Sequence, residues 1–211
     1  MRSPLSRTTA SLSVLVLALA LGTTACGDDA EAGTTTQTAA PTAGQTTAAP
    51  TDPGVTVVSE PTLVAGDPVP APTGRVVLTL EGVPTTNVED RLELDLDTLE
   101  KMGVVEYTVF DRQAEGRDVT FSGPLVRDVL AVAGATGTTM HTVALNDYAV
   151  DVPVSDAEDL PLMLATRADG TKMTVARYGP TRFVYPTEGY DLDQTVYDAR
   201  WIWQLARIEV E

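Results

Sequence analysis

Four cations, Arg167, Lys172, Arg177 and Arg182, recur at five-residue intervals, and Asp169 is the only acid among them. This window carries +3 in a chain whose formal net charge is −16. A local positive excess in an acidic protein suits a small anionic ligand, because the planar fork of Arg matches paired oxygens of phosphate or carboxylate. The competing reading is a hairpin whose cations are solvated and balanced by acids elsewhere. The turn Asn146-Asp147-Tyr148 is a second candidate, although Asn and Asp in turns mostly serve backbone geometry. His141 is the only His, sits in the strand-like run Met140-His141-Thr142-Val143, and is expected to be structural. Asp191 and Asp193 match no metal-site spacing, so no metal is expected, and Trp201 and Trp203 are expected to pack. No side chain is assigned a catalytic role.

The only thiol is Cys26, which excludes an internal disulfide, a thiolate zinc site and an iron–sulfur cluster. Upstream of it lie Arg2, Arg7 and the run Leu12–Leu21, apolar apart from Ser13. Ten residues are too few for a membrane span, which needs about 20. They have the length of the apolar part of a signal peptide. Gly22-Thr23-Thr24-Ala25 followed by Cys26 resembles a bacterial lipoprotein signal, with cleavage before Cys26 and lipid on its thiol. The expectation is a signal at 1–25 and a lipid anchor at Cys26. The protein would then sit on the outer face of the bacterial cytoplasmic membrane or on a periplasmic membrane face. A conventional secretory signal that leaves a free thiol is the alternative.

Residues 26–74 are rich in Thr, Ala, Pro and Gly and contain no aromatic residue. Such a composition buries too little surface to offset its ordering entropy, so a disordered tether is expected, with Val55–Val64 a candidate to pack on the domain. All aromatics lie from Tyr107 to Trp203, which places one folded domain at 75–211. That domain holds 12 bases and 24 acids, a balance that repels nucleic acid. The partners left open are membrane lipid through Cys26, a small anion, and a membrane or extracytoplasmic protein.

The elements that must position the cations follow from periodicity and punctuation. Arg75–Glu81 alternates and stops at Gly82; Leu92–Leu96 also alternates. Asp97 and Glu100 suggest a capped short helix closed by Gly103. Val104–Phe110 and Val119–Phe121 read as strands. Pro124 opens a helix with Leu125, Val126, Val129 and Leu130 on one face and Gly134 just past its end. Thr139–Leu145 and Tyr148–Val152 flank the Asn146-Asp147 turn. Ser155 and Glu158 suggest another capped helix. Leu162–Thr166 and Lys172–Thr174 flank Asp169-Gly170, a second hairpin signal. Thr181–Tyr185 reads as a strand, a polar loop runs to Asp198, and Trp201–Val210 closes the domain. Strands dominate, with about three short helices and no regular βαβ repeat. The expected class is α+β with mixed, mainly antiparallel sheets.

Six segments in order resemble the oxidoreductase molybdopterin-binding domain, the sulfite-oxidase-type fold. They are LTLEG (Leu78–Gly82), LDLDTLEKM (Leu94–Met102), VTFSGPLVRDVLAVAGA (Val119–Ala135), VALNDYAVDVPVSD (Val143–Asp156), MLATRADGTKMTVARYGPTRFVYP (Met163–Pro186) and WIWQLARIEV (Trp201–Val210). The resemblance covers nearly all of 75–211 and looks closest to a small secreted subgroup. It implies a molybdenum–pterin cofactor and transfer of oxygen atoms or electrons. It implies that Arg182, in Gly179-Pro180-Thr181-Arg182, matches the Arg of the family's G-x-P-x-R stretch, shortened here by one residue. It also implies that Asp147-Tyr148 matches an acidic–aromatic turn near the cofactor cleft, and that the pterin phosphate would meet the window of Arg167, Lys172, Arg177 and Arg182. The family binds molybdenum through a Cys thiolate on the strand after the first helix. Here that strand reads Tyr107-Thr108-Val109-Phe110-Asp111-Arg112, without Cys. Two functions therefore stand: a degenerate module that binds an anion or a partner, and a molybdopterin-dependent oxidoreductase with a non-Cys ligand or a partner subunit.

Overall fold

A computed structural model of the chain describes residues 52–112 and 116–211. The expected signal peptide and Cys26 lie outside the described residues, as does the tether up to residue 51.

Two five-stranded sheets carry the fold. The first is built around β2 (Val76–Glu81) and β12 (Leu205–Val210), which run parallel. β3 (Leu92–Asp95) flanks β2, and β6 (Thr139–Ala144) and β7 (Ala149–Pro153) follow β12, all antiparallel. The strands of the second sheet are, from one edge to the other, β1 (Thr56–Ser59), β4 (Val104–Asp111), β5 (Arg117–Gly123), β9 (Arg167–Ala168) and β10 (Thr171–Lys172). Every pair in it is antiparallel. β8 (Met163–Ala165) and β11 (Arg182–Val184) form a two-stranded antiparallel ribbon. The class is α+β with mixed, mainly antiparallel sheets, as expected.

Among the described residues there are four short α-helices, α1 (Leu96–Glu100), α2 (Val126–Ala133), α3 (Ser155–Asp159) and α4 (Gln194–Tyr197), and two 3-10 turns at Val175–Arg177 and Asp198–Arg200. α2 follows its sequence signals. Val126, Val129, Leu130 and Ala133 are buried, and Gly134 ends the helix at φ 67°, a conformation that favours glycine. Two expected caps differ. Asp95, not Asp97, caps α1: the Thr98 N–H donates to Asp95 Oδ1 at 2.9 Å. Asp95 also accepts from the N–H groups of Thr73 (3.0 Å) and Gly74 (2.9 Å), so the cap lies where it satisfies two segments at once. Ser155 is the first helical residue of α3 and makes no cap bond. The polar loop before Asp198 contains α4, capped by Asp193 through Thr195 N–H and Oγ1.

The domain also begins earlier than residue 75. β1 pairs with the free edge of β4, and Leu63 and Val69 are buried in the larger core. Pairing and burial offset the ordering entropy that the composition of this stretch alone does not.

Two cores result. The larger packs α1, α2 and α3 with the β2–β12 sheet, through Leu78, Leu80, Leu94, Val129, Met140 and Ile208. The smaller lies on the β4–β5 sheet, through Val105, Tyr107, Val109, Val119, Phe121 and Met163. Trp201 is partly buried and packs against both.

Candidate functional site

Alternation along β4 turns Val105, Tyr107, Val109 and Asp111 to the buried face. The first three are apolar core residues, and the fourth is a carboxylate only 1% exposed. On β11, Arg182 and Val184 share a face by the same period, and Val184 belongs to the smaller core. Arg182 therefore projects into that core, where it is also 1% exposed. The strand is pinned on its other side by Thr181 Oγ1 donating to Leu205 O at 2.6 Å and by the Phe183 N–H donating to Ile202 O at 3.1 Å.

The two buried charges meet. Arg182 Nη1 donates to Asp111 Oδ2 at 3.0 Å. The guanidinium carbon lies over three rings, 4.9 Å from Phe121, 5.6 Å from Trp201 and 5.8 Å from Trp203. Arg182 Nε and Nη2 are buried and have no hydrogen-bond partner among the described residues, and the same holds for Trp203 Nε1. Burial lowers the Arg182 pKa from its ordinary value, while the neighbouring Asp111 works against that fall. An unpaired buried donor costs about 1–3 kcal/mol, so two on one guanidinium call for an explanation.

Arg182 and Asp111 line a cleft of about 200 Å³. Among the described residues, Arg117, Lys172, Arg177 and Asp169 line it too, so that four cations and two carboxylates meet there. Arg117, which nothing in the local sequence singles out, stands opposite Asp111 in the β4–β5 register and pairs with Asp169 at 2.8 Å. That pairing holds the Asp169 carboxyl below its ordinary value, with help from the Thr120 N–H. Lys172 reaches Asp97 at 3.5 Å from a half-exposed position.

The basic window is thus divided by the fold. Lys172, Arg177 and Arg182 share the cleft, whereas Arg167 is turned to Glu100, with Nε to Oε1 and Nη2 to Oε2 both at 3.0 Å. Asp147 and Tyr148 are not brought to this cleft. Asp147 occupies the turn at φ 62°. Tyr148 lines a separate, more aromatic cleft of about 320 Å³ with Trp201 and Trp203, and its hydroxyl donates to Ala199 O at 3.1 Å. A third cleft, of about 220 Å³, also takes Asp111 into its lining, with Phe110, Tyr190, Asp191 and Trp201. His141 pairs with Asp151 at 2.7 Å on the exposed sheet surface.

Asp111 was legible in one respect. It is an acid in the inward register of an otherwise apolar strand, and such a position requires a buried partner. Which partner it takes was not legible, because Arg182 lies 71 residues further along.

A molybdenum–pterin group of the kind the sequence resemblance implies needs a soft thiolate on the strand after the first helix. Among the described residues β4 offers only Asp111 there, and its carboxylate is held by Arg182. No group of three His, Cys, Asp or Glu among the described residues is placed to hold a metal. The donor set does not fit the metal half of that group. The positive cleft is compatible with an anion.

No family model matches the chain, and no curated protein matches it. Among solved structures, the chain is similar to the sulfane dehydrogenase SoxCD from Paracoccus pantotrophus, with 18% identity and a TM-score of 0.47. That likeness covers 63% of this chain and 37% of the other, so it spans little more than a third of the SoxCD chain.

Proposed function

We propose that this protein is an exported module, anchored by lipid at Cys26, that binds a small anion in the cleft above Arg182. In this reading the molybdopterin-binding type of domain has lost thiolate-held molybdenum and kept an anion site. One observation carries it: a buried guanidinium at a cation-lined cleft uses a single nitrogen on Asp111 and leaves two nitrogens without an acceptor among the described residues. Charge-assisted hydrogen bonds to an anion would satisfy those donors. Lys172 and Arg177, at the same cleft, would add attraction that weakens with salt.

The test uses the full chain expressed through its own export route. Elemental analysis for molybdenum and fluorescence of released pterin come first. Calorimetric titration with inorganic phosphate and sulfate at low ionic strength follows. The expected result is saturable anion binding without stoichiometric molybdenum or pterin. Stoichiometric amounts of both would refute this reading in favour of a molybdopterin-dependent oxidoreductase. A Cys26→Ala variant should leave the membrane fraction, and unchanged retention would remove the lipid anchor from the proposal.

A further inference from the structure

Asn146, Tyr148, Asp198, Trp201, Trp203 and Gln204 line the cleft of about 320 Å³ beside the β6–β7 turn. Three of these side chains are aromatic and one is a carboxylate, and no Lys or Arg is among the described lining residues. Small-molecule sites have volumes of about 300–1,000 Å³, and this cleft falls within that range. Its rings are held by their own neighbours. Tyr178 meets Trp203 at 64° with centroids 4.7 Å apart, and Trp201 lies 6.4 Å from Tyr185. The Tyr148 hydroxyl donates to Ala199 O at 3.1 Å. Other polar groups of the lining are also committed within the chain. Gln204 Nε2 donates to Val175 O at 2.7 Å, and Asn146 Oδ1 accepts from the Tyr148 N–H at 3.3 Å. What the cleft offers a ligand is aromatic surface and negative charge.

We propose that this cleft binds a quaternary ammonium group, held by Tyr148, Trp201 and Trp203 with Asp198 as the counter-charge. Aromatic rings attract a cation within about 6 Å of their centroids, Trp most strongly. A carboxylate among them adds Coulomb attraction and works against an anion. A primary ammonium or a guanidinium brings several N–H donors, each of which needs an acceptor once it leaves water. A quaternary ammonium has no N–H and gives up no such bond on entering. Arg182 lies against the same two indoles, 5.6 and 5.8 Å away, but is not part of this lining, and Asp111 at 3.0 Å offsets its charge. Tyr148 is half-exposed, so its ring is reached from solvent. Rings already fixed by packing lose little freedom when a ligand arrives. This site is separate from the cation-lined cleft, and neither depends on the other.

The chain offers its own reporter. It has only two Trp, and both line this cleft, so their emission follows its occupation. The full chain is titrated with tetramethylammonium, choline and glycerophosphocholine, with NaCl holding chloride and ionic strength constant. Neohexyl alcohol, the uncharged isostere of choline with carbon in place of nitrogen, is titrated beside them. Saturable emission changes with tetramethylammonium and choline are expected, and the isostere should bind about tenfold more weakly. Tighter binding of choline assigns a free quaternary ammonium compound, and tighter binding of glycerophosphocholine assigns a lipid headgroup. Tyr148→Leu keeps apolar bulk at the turn and removes the ring, so the Kd for choline should rise about fivefold. Asp198→Asn should weaken choline and leave the isostere unchanged. An isostere that binds as tightly as choline would overturn the cation site and leave an apolar cleft. No saturation with any ammonium probe would overturn it as well. The isostere comparison needs no variant and holds even if Tyr148→Leu fails to fold. Binding of phosphate or sulfate, present or absent, bears on the anion cleft alone.

Discussion

Breaking the buried pair one side at a time should cost far more than removing both sides together. Asp111 and Arg182 are each 1% exposed and 3.0 Å apart at the bonded atoms. At an effective dielectric constant of about 20, unit charges about 4 Å apart attract by about 4 kcal/mol. Asp111→Asn leaves the guanidinium buried without that counter-ion, and Arg182→Met takes from the buried carboxylate its bond to Arg182. Each should lose about 3–5 kcal/mol, a large share of a total stability of about 5–15 kcal/mol. The double variant removes both members of the pair and should recover about 3 kcal/mol relative to the sum of the two single losses. Arg182→Met also removes the contacts with Phe121, Trp201 and Trp203, but that loss is common to the single and double variants and cancels in the cycle. Urea midpoints at constant slope give the four free energies. Losses that simply add in the double variant would refute the argument, because they would mean that the two charges do not depend on each other.

Two further outcomes follow from particular residues. Burial opposes ionisation of Asp95, yet the N–H groups of Thr98, Gly74 and Thr73 overcome it and hold the carboxyl down to about 2 from an ordinary 3.8. The folded value is the lower one, so this stabilisation is present above about pH 4 and is lost as pH falls through about 2. A folded-state pKa lowered this far corresponds to about 2 kcal/mol of stability. Urea unfolding of Asp95→Asn between pH 4 and 2 should show a shallower pH slope than the native chain, and equal slopes would discard the argument. Gly82 sits at φ 70°, and a Cβ there would collide with the Val210 carbonyl oxygen on the last strand. Gly82→Ala should therefore lower stability by at least about 2 kcal/mol, from φ strain together with displacement of β12. A midpoint unchanged in urea would show that β12 moves aside freely.

The α+β class was legible because it depends on local period. Alternation marked β2 and β3, an apolar run marked β4, the Asn146-Asp147 turn marked β6 and β7, and the stripe of α2 with Gly134 marked a helix. The tight turn at Asp169-Gly170 followed from its residues, with Asp169 at φ 47° and Gly170 at φ 73°. Val55–Val64 was marked only as a stretch that could pack on the domain, and its strand β1 was not legible because all four of its residues are exposed. It exists by pairing with β4, and no apolar pattern records that. The cap of α1 fell at Asp95 rather than Asp97 because the carboxylate also had to satisfy Thr73 and Gly74, a demand that a local motif does not contain.

Even spacing along the chain suggested one basic window of four cations, and pairing across the sheets divided it. Residue types and their order established the overall negative charge, the single thiol at position 26, the absence of Cys from the strand after the first helix and the local excess of cations. Only the tertiary structure assigned those cations different environments. Arg167 went to Glu100, Lys172 and Arg177 to the cleft, and Arg182 to a water-excluding aromatic wall with a single carboxylate partner. Charge is a property of each residue and can be counted in the sequence. Desolvation and the number of available acceptors belong to the place where the folded chain puts it.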